Sequence, residues 1–478
     1  MRNSPSTWAN YIGGEWRQGT GRTIEVINPA TGKVYAEMQA AGATDVDAAV
    51  SAARAAFKTR ALYDMHPHAR MSLLLRIAAE LRGLSEEIVP VLIDENGKNV
   101  GLARDEVECA AQYFEYYGGV ADKLHGRSIP LGGGFVDYTQ LVPYGVSAQI
   151  VPWNFPLEIA ARSVAPALAC GNAVITKSPE LSPLAMCFLA EACHRARLPK
   201  GYFNLLAGHG SDIGEALVGH SGVDQIVFTG SIETGRRIMH HAADRVVPVV
   251  AELGGKSAGI VYADADIDSV VNSAAVGIFV HAGQVCSAGS RLIVHQKVHA
   301  EVVQKLDAWI KSKTMGPGQE DHFFTPLISS AQREKVEQFV TRAKAAGASA
   351  EVGGCRVDRE GFYAQPTVLT GVTPGMEVNQ REIFGPVLSV LKFSEPEEAL
   401  AIANGTEYGL AAGVYTKDIT RAHWTADRLE AGTVFVNQWF AGGNETPFGG
   451  FKKSGYAREK GMEALANYQQ TRNVAIRL

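Results

Sequence analysis

The 478-residue chain predicts an α/β fold with two parallel-sheet units, and three observations carry that expectation. Short apolar runs alternate with helical patterns from about Ser147 to Val250. A second series of the same kind follows from about Ser257 to Val436. The chain is also too long for one ordinary hydrophobic core, so two large domains are expected.

In chain order, the first element is an amphipathic helix from Thr44 to Phe57. Val46, Val50, Ala53 and Phe57 fall at helical spacing, with Thr44 as N-cap and Asp47 three residues on. A second helix from about Pro67 to Leu84 carries a stripe of Met71, Leu74, Leu75, Ala78 and Leu81. The runs AQIV, NAVIT, YFNLL, DQIVF and VVPVV then read as strands, with helices starting near Pro156, Ser182, Ser211 and Ile232. Ligands of such sheets sit at the carboxyl ends of the strands, which is where the loops PWNFP, KSPE and FTGS fall. Beyond ELGGK, QREKVEQFVTRAKAAG reads as a helix and GPVLSVLKF as a strand of the second unit. Two further pieces, SIPLGGGFVDYTQLVPYG and NYQQTRNVAIRL, read as extended segments that could be edge strands given to a partner subunit.

Composition excludes several classes of function. Forty-five Lys plus Arg against 50 Asp plus Glu leaves a formal charge of -5 without a long single-sign run, which argues against a polyanion partner such as nucleic acid. No stretch reaches the roughly 18 uninterrupted apolar residues of a membrane span, and the N-terminal residues show no apolar signal region. The expected setting is therefore cytoplasmic, away from membranes. Six cysteines without CxxC pairs argue against a disulfide framework and against a metal site.

Several residue types point to chemistry. Gly230 and Ser231, in FTGS, end a strand and open a helix with Gly235 one turn on, an arrangement that can bind a phosphate with free N–H groups and the helix dipole. The spacing is G-x-x-x-x-G, which an ordinary strand-to-helix turn also fits. Lys177 and Glu180, in TKSPE, can donate to and accept from ribose hydroxyls, or form a solvated surface pair. Cys286 lies among small residues in HAGQVCSAGSR, where a thiol stays accessible as a nucleophile. Asn154 in VPWNFP is a candidate amide donor to an oxyanion. Glu252 directly follows an apolar strand, where burial would raise its pKa toward that of a useful base. Each of these taken singly also has a structural reading.

The motifs PWNFP, FTGS, ELGGK, GQVCSAGSR, EIFGP and PFGGFKKSG occur in that order, between YIGGEW and INPATG at one end and SGYAREKG at the other. This set resembles the aldehyde dehydrogenase superfamily from end to end. The resemblance implies a Rossmann-like parallel-sheet cofactor domain (residues 1–119 and 144–255) and a second α/β catalytic domain (256–454). It also implies a small extended oligomerisation element with the C-terminal tail (120–143 and 455–478). The family reaction would run through a thioester on Cys286, with Glu252 activating water and Asn154 completing an oxyanion hole. Members that pass the acyl group to coenzyme A usually lack such a glutamate. The resemblance further assigns Trp153, Lys177, Glu180, Gly230, Ser231, Leu253, Glu382 and Phe384 to the cofactor. A carboxylate at Glu180 favours NAD, with NADP possible because the side chain can swing aside. A homodimer or homotetramer acting on a small-molecule aldehyde is implied.

For the substrate, Arg162 stands eight positions after Asn154, as in succinic semialdehyde and aromatic aldehyde members. It could pair with a substrate carboxylate or with Glu158 one turn earlier. The second arginine of succinic semialdehyde members is replaced by Val280, which weakens a short-diacid reading. Trp439 and Phe440 fall where the tunnel closes and could stack on a substrate or pack its wall. The reading favours an aromatic or otherwise bulky aldehyde that could bear an anionic group, with an anionic aliphatic semialdehyde held by Arg162 as the alternative. Two rivals of other classes are a cysteine esterase using His281 as base and a non-catalytic structural protein.

Overall fold

Five parallel strands form the middle of an eight-stranded sheet in the spatial order Phe203–Ala207, Ala173–Ser178, Val146–Ile150, Gln225–Thr229, Val249–Glu252. They coincide with the five apolar runs of the sequence. Being covered on both faces, they are almost wholly buried. The chain starts at the central Val146–Ile150, winds outward to one side, then returns to add Gln225–Thr229 on the other. The order therefore reverses between these two strands, the switch point at which doubly wound sheets bind ligands. The computed structural model describes residues 8–478. Residues 1–7, which the sequence reading included in the first domain and in the search for a signal region, lie outside the described residues.

The second sheet has seven strands in the order Ser349–Val352, Thr367–Thr370, Val387–Phe393, Arg291–His295, Ala258–Val261, Ala411–Tyr415, Thr433–Val436. All pairings are parallel except that of Ser349–Val352. Residues 253–257 alone separate the last parallel strand of the first sheet from Ala258–Val261 of the second. So short a link brings the carboxyl edge of one sheet against the amino edge of the other. The cleft between those edges holds the site described below.

The two extended segments pair with each other. Gln469–Arg477 runs antiparallel along all of Phe135–Pro143, which also pairs with Ser128–Ile129. This ribbon leaves Phe135, Val136 and Ile476 exposed. No helix among the described residues is long and apolar enough to cross a membrane.

Several local expectations are corrected. The first helix spans Ala43–Lys58 and is capped at Gly42, whose N–H donates to Asp45 at 2.8 Å, in place of the Thr44 cap. In Pro67–Gly83, Leu73 and Ile77 join the core while Leu75 is exposed. The face that meets helix Val100–Val120 is rotated from the stripe read in sequence. The helix expected at Ser182 begins at Ala185, and the one expected at Ser211 is reduced to a π-turn and the short Glu215–Gly219. By contrast, the helices at Pro156 and Ile232 start as read, the first with proline in its first turn and the second capped by Ser231.

Candidate active site

From the first sheet, the loop after Val146–Ile150 carries Trp153 and Asn154. Asn154 is buried, and its Nδ2 donates to the Gln284 carbonyl at 2.9 Å. An amide nitrogen has two hydrogens, so one is held by this bond and the other is free for a ligand. The loop is pinned from behind. The Trp153 carbonyl accepts from Asn96 Nδ2 at 2.5 Å and Ser182 Oγ at 3.0 Å, and the Asn154 carbonyl accepts from Lys98 Nζ at 3.0 Å. The sequence singles out neither Asn96 nor Lys98, and Ser182 is read there only as a helix start. A lysine in DENGKNV looks solvated until the fold buries it.

Glu252 ends strand Val249–Glu252 with only 2% of its surface exposed, and neither carboxyl oxygen has a hydrogen-bond partner in the protein. Burial, reinforced by the nearby Glu459, raises its pKa well above the ordinary carboxylate value, against the lowering effect of Arg162 and Arg458. An orphaned buried carboxyl is costly for stability and marks a functional group. The glycines of ELGGK have steric reasons. A Cβ on Gly254 would collide with the Glu382 carboxyl, and one on Gly255 would stand 2.6 Å from the Cys286 carbonyl oxygen. The motif thus allows three chain segments to touch.

Cys286 sits half-buried in a turn ahead of strand Arg291–His295, facing that junction. Burial pushes its thiol up to about 11, helped by the carboxyls of Glu252 and Glu382, while Arg162 pulls the other way. Just upstream, His281 and Ala282 adopt left-handed backbone with φ of 50° and 52°. That sharp reversal ends helix Ile267–Phe279 and delivers the nucleophile loop. The His281 ring is buried, and its pKa falls well below the usual value through burial and the Lys98 charge. It stacks edge-on to Phe155 at 5.2 Å.

Arg162 has a partner that neither sequence reading named. It forms a buried ion pair with Glu459, not with Glu158, and its Nη2 donates to Thr229 Oγ1 at 3.2 Å. Ser163 Oγ donates to the other Glu459 oxygen at 2.8 Å. The free cation that a substrate carboxylate would require is already neutralised. Glu459 belongs to SGYAREKG, a segment in which nothing local points to this pairing; only tertiary packing reveals it. Trp439 also turns inward. Its ring lies in a slot bordered by Gly277, Gly289 and Gly413, its Nε1 donates to the Ser287 carbonyl at 3.0 Å, and it packs on Phe435. It braces the nucleophile loop, leaving Phe440 as the exposed aromatic of the pair.

Two openings along the switch point could hold a dinucleotide. A slot of about 240 Å³ is lined by Ile150, Lys177, Val218, Thr234 and Ile238, and suits a flat ring between apolar walls. Lys177 lies within strand Ala173–Ser178, and its Nζ is 2.8 Å from Glu180 Oε2. Burial acts to raise Glu180, but the Lys177 charge outweighs it and holds the carboxyl below its usual value. A second cleft of about 840 Å³ contains Ser231, Lys335, Tyr408 and Glu382. Ser231 caps helix Ile232–Arg245, and Gly235 lets that helix pack against Leu253, so the second glycine of the motif serves packing. Glu382 accepts from the Gly255 N–H at 3.0 Å, and Phe384, at φ 59°, meets Trp153 edge-on at 5.3 Å. These residues fit a nucleotide's phosphate and ribose groups. Among the described residues no cluster of His, Cys, Asp or Glu could hold a metal ion.

A doubly wound sheet whose carboxyl edge faces a half-buried cysteine on a second α/β unit is an architecture of the class that binds a ligand at a topological switch point. The model of the aldehyde dehydrogenase family matches residues 16–474. A betaine aldehyde dehydrogenase from Rhizobium leguminosarum bv. trifolii is 42% identical, with 100% of this chain and 98% of that protein covered. Among solved structures, the NAD+ complex of an aldehyde dehydrogenase from Bacillus cereus superposes with a TM-score of 0.97 at 38% identity, covering 99% of this chain and 97% of the other. An indole-3-acetaldehyde dehydrogenase with NAD+ gives 0.97 at 36%, covering 100% and 98%. The chain belongs to the aldehyde dehydrogenase family, whose members oxidise aldehydes.

Proposed function

We propose that the chain oxidises a neutral aromatic or otherwise bulky aldehyde to its acid, with NAD as hydride acceptor and Cys286 as the nucleophile. The observation that carries the reading is a half-buried cysteine within electrostatic reach of a buried, unpartnered glutamate where the two sheet edges face. The Cys286 thiol, which burial keeps protonated near neutrality, first gives its proton to water; the thiolate then adds to the aldehyde carbon, and the resulting oxyanion is held by the free hydrogen of Asn154 Nδ2 and the Cys286 N–H. Bound NAD supplies the acceptor for the hydride that leaves this carbon. The product on the enzyme is a thioester. Glu252, once deprotonated, takes a proton from water, whose oxygen attacks the thioester carbon; the acid departs and the thiolate is restored.

For the cofactor, the charged Glu180 carboxylate would repel a 2'-phosphate, and similar structures hold NAD+, so NAD is preferred to NADP. Lys177, Glu180, Gly230, Ser231, Leu253, Glu382, Phe384 and Trp153 border its path. For the substrate, the Arg162–Glu459 pair is electroneutral, and the Arg162 guanidinium lies 5.7 Å from the Phe448 ring. This supports an uncharged aromatic over a semialdehyde anion. The named relatives act on both betaine and indole aldehydes, so a panel is the test. Reduced cofactor read at 340 nm should show higher kcat/KM for aromatic aldehydes than for short semialdehydes; a semialdehyde preference lost in Arg162→Leu would reverse the assignment. The exposed apolar ribbon of Phe135, Val136 and Ile476 supports assembly into a homodimer or homotetramer, which sedimentation would test.

A further inference from the structure

Lys98 is a fully buried lysine that the proposed chemistry leaves without a task. It lies just past helix Ser85–Asn96 and just before helix Val100–Val120. Its ammonium is ion-paired with the equally buried Glu106, donates to the Asn154 carbonyl at 3.0 Å, and lies 4.3 Å from the centroid of the Phe155 ring. Glu106 extends the same grip. Its second oxygen accepts from the Leu157 N–H at 2.9 Å and the Glu158 N–H at 3.4 Å, in the first turn of helix Pro156–Ala169. One ion pair therefore holds residues 154, 155, 157 and 158 against helix Val100–Val120.

Stability alone is a poor reason to keep such a pair, since well-packed apolar residues commonly replace buried ion pairs with little loss. Direction is a better reason. The Asn154 carbonyl is held from one side by Lys98 while its amide reaches Gln284 on the other, two residues before Cys286. The side chain that must point at the substrate oxygen is thus fixed at both ends.

We propose that Lys98, together with Glu106, is a positioning residue that aims the Asn154 amide at the reacting carbonyl oxygen, acting through the main chain of Asn154. The inference rests on the reading of Asn154 as oxyanion donor. The experiment is a double-mutant cycle on the burst rate of reduced cofactor at saturating NAD+ and aldehyde. Asn154→Ala should slow the burst by about 10²- to 10³-fold, and Lys98→Met by roughly 10- to 100-fold, the size expected of a misplaced catalytic group. The double variant should be no slower than Asn154→Ala to within about 2-fold, because the two act as one unit.

Affinity for NAD+, read by fluorescence titration, should stay unchanged in Lys98→Met, which a general loosening of the fold would not allow. Multiplying losses in the double variant, or an unchanged burst in Lys98→Met, overturns the inference. An unchanged burst in Asn154→Ala sinks the oxyanion reading itself, and Lys98 then has nothing to aim. Should Lys98→Met fail to fold, Glu106→Gln carries the same cycle, because it removes the charge and keeps an acceptor for the Leu157 N–H.

Discussion

In the eight-stranded sheet the residues facing the cleft follow their strands: Trp153 and Asn154 after Val146–Ile150, Gly230 and Ser231 after Gln225–Thr229, Glu252 at the end of Val249–Glu252. In the seven-stranded sheet they precede them. Cys286 stands before Arg291–His295, and Glu382 with Phe384 before Val387–Phe393. The first arrangement obeys the carboxyl-edge rule of doubly wound sheets and presents the N-terminus of helix Ile232–Arg245 at that edge. The second has no such rule to follow. Its reactive loops are aimed by left-handed backbone at His281, Ala282 and Phe384 and by the close approach that Gly254 and Gly255 allow. The short link at residues 253–257 imposes this asymmetry, because a longer one would let the second sheet turn its carboxyl edge inward. The first sheet lends Asn154, Glu252, Gly230 and Ser231 and the second lends Cys286, Glu382 and Phe384, so each contributes both to the proposed chemistry and to the proposed cofactor cleft.

Substitutions can break or sharpen that division. Cys286→Ala should remove the reaction, lowering turnover by on the order of 10⁴-fold or more, while calorimetry still finds NAD+ bound as before; residual aldehyde oxidation near the parent rate would shift the nucleophile elsewhere. Glu252→Gln should cut steady-state turnover by roughly 10²- to 10⁴-fold yet leave a burst of reduced cofactor. The parent's thioester hydrolysis should climb with pH through the raised Glu252 pKa, since only the deprotonated carboxylate is a base and burial holds it protonated above the usual carboxylate range. That limb should vanish in Glu252→Gln, and a limb that persists assigns the base to another group.

Gly255→Ala places a Cβ 2.6 Å from the Cys286 carbonyl oxygen and should move the reacting loop, costing about 10²-fold in the burst rate. Gly413→Ala meets the Trp439 ring, at 2.6 Å, inside the second sheet. It should lower stability by about 1–3 kcal/mol, seen as a reduced Tm, with a smaller effect on the chemistry than Gly255→Ala. Equal kinetic losses in the two glycine variants would deny that the facing edges are special.

Much of this could be read in the sequence, and the boundary between what could and could not is physical. The five buried runs of the first sheet stand out because parallel strands covered on both faces are continuously apolar. Helix Ile232–Arg245 is legible because FTGS follows an apolar strand and opens a helical pattern, and Ser231 does cap it; the start of helix Ala43–Lys58 is not, because Gly42 caps it with backbone and Asp45. Periodicity placed the second helix but rotated its face, since Leu73 and Leu75 differ only in which neighbour covers them. The motifs carrying Cys286, Glu252 and Asn154 were visible, yet their reasons were not. Arg162 finds Glu459, and Ser163 reaches the same carboxylate across 296 positions of sequence. Lys98 and Glu106 resemble ordinary helix-flanking charges until both are buried. Contacts set by the packing of distant elements leave no local pattern to read.

The acyl group proposed on Cys286 is the step that would join the two sheets, and mass spectrometry of Glu252→Gln mixed with NAD+ and an aromatic aldehyde tests it most directly. The account predicts a mass gain equal to the acyl group, confined to the peptide containing Cys286 and absent without NAD+. An unmodified Cys286 peptide after a full burst, or the acyl group on any other residue, would contradict it.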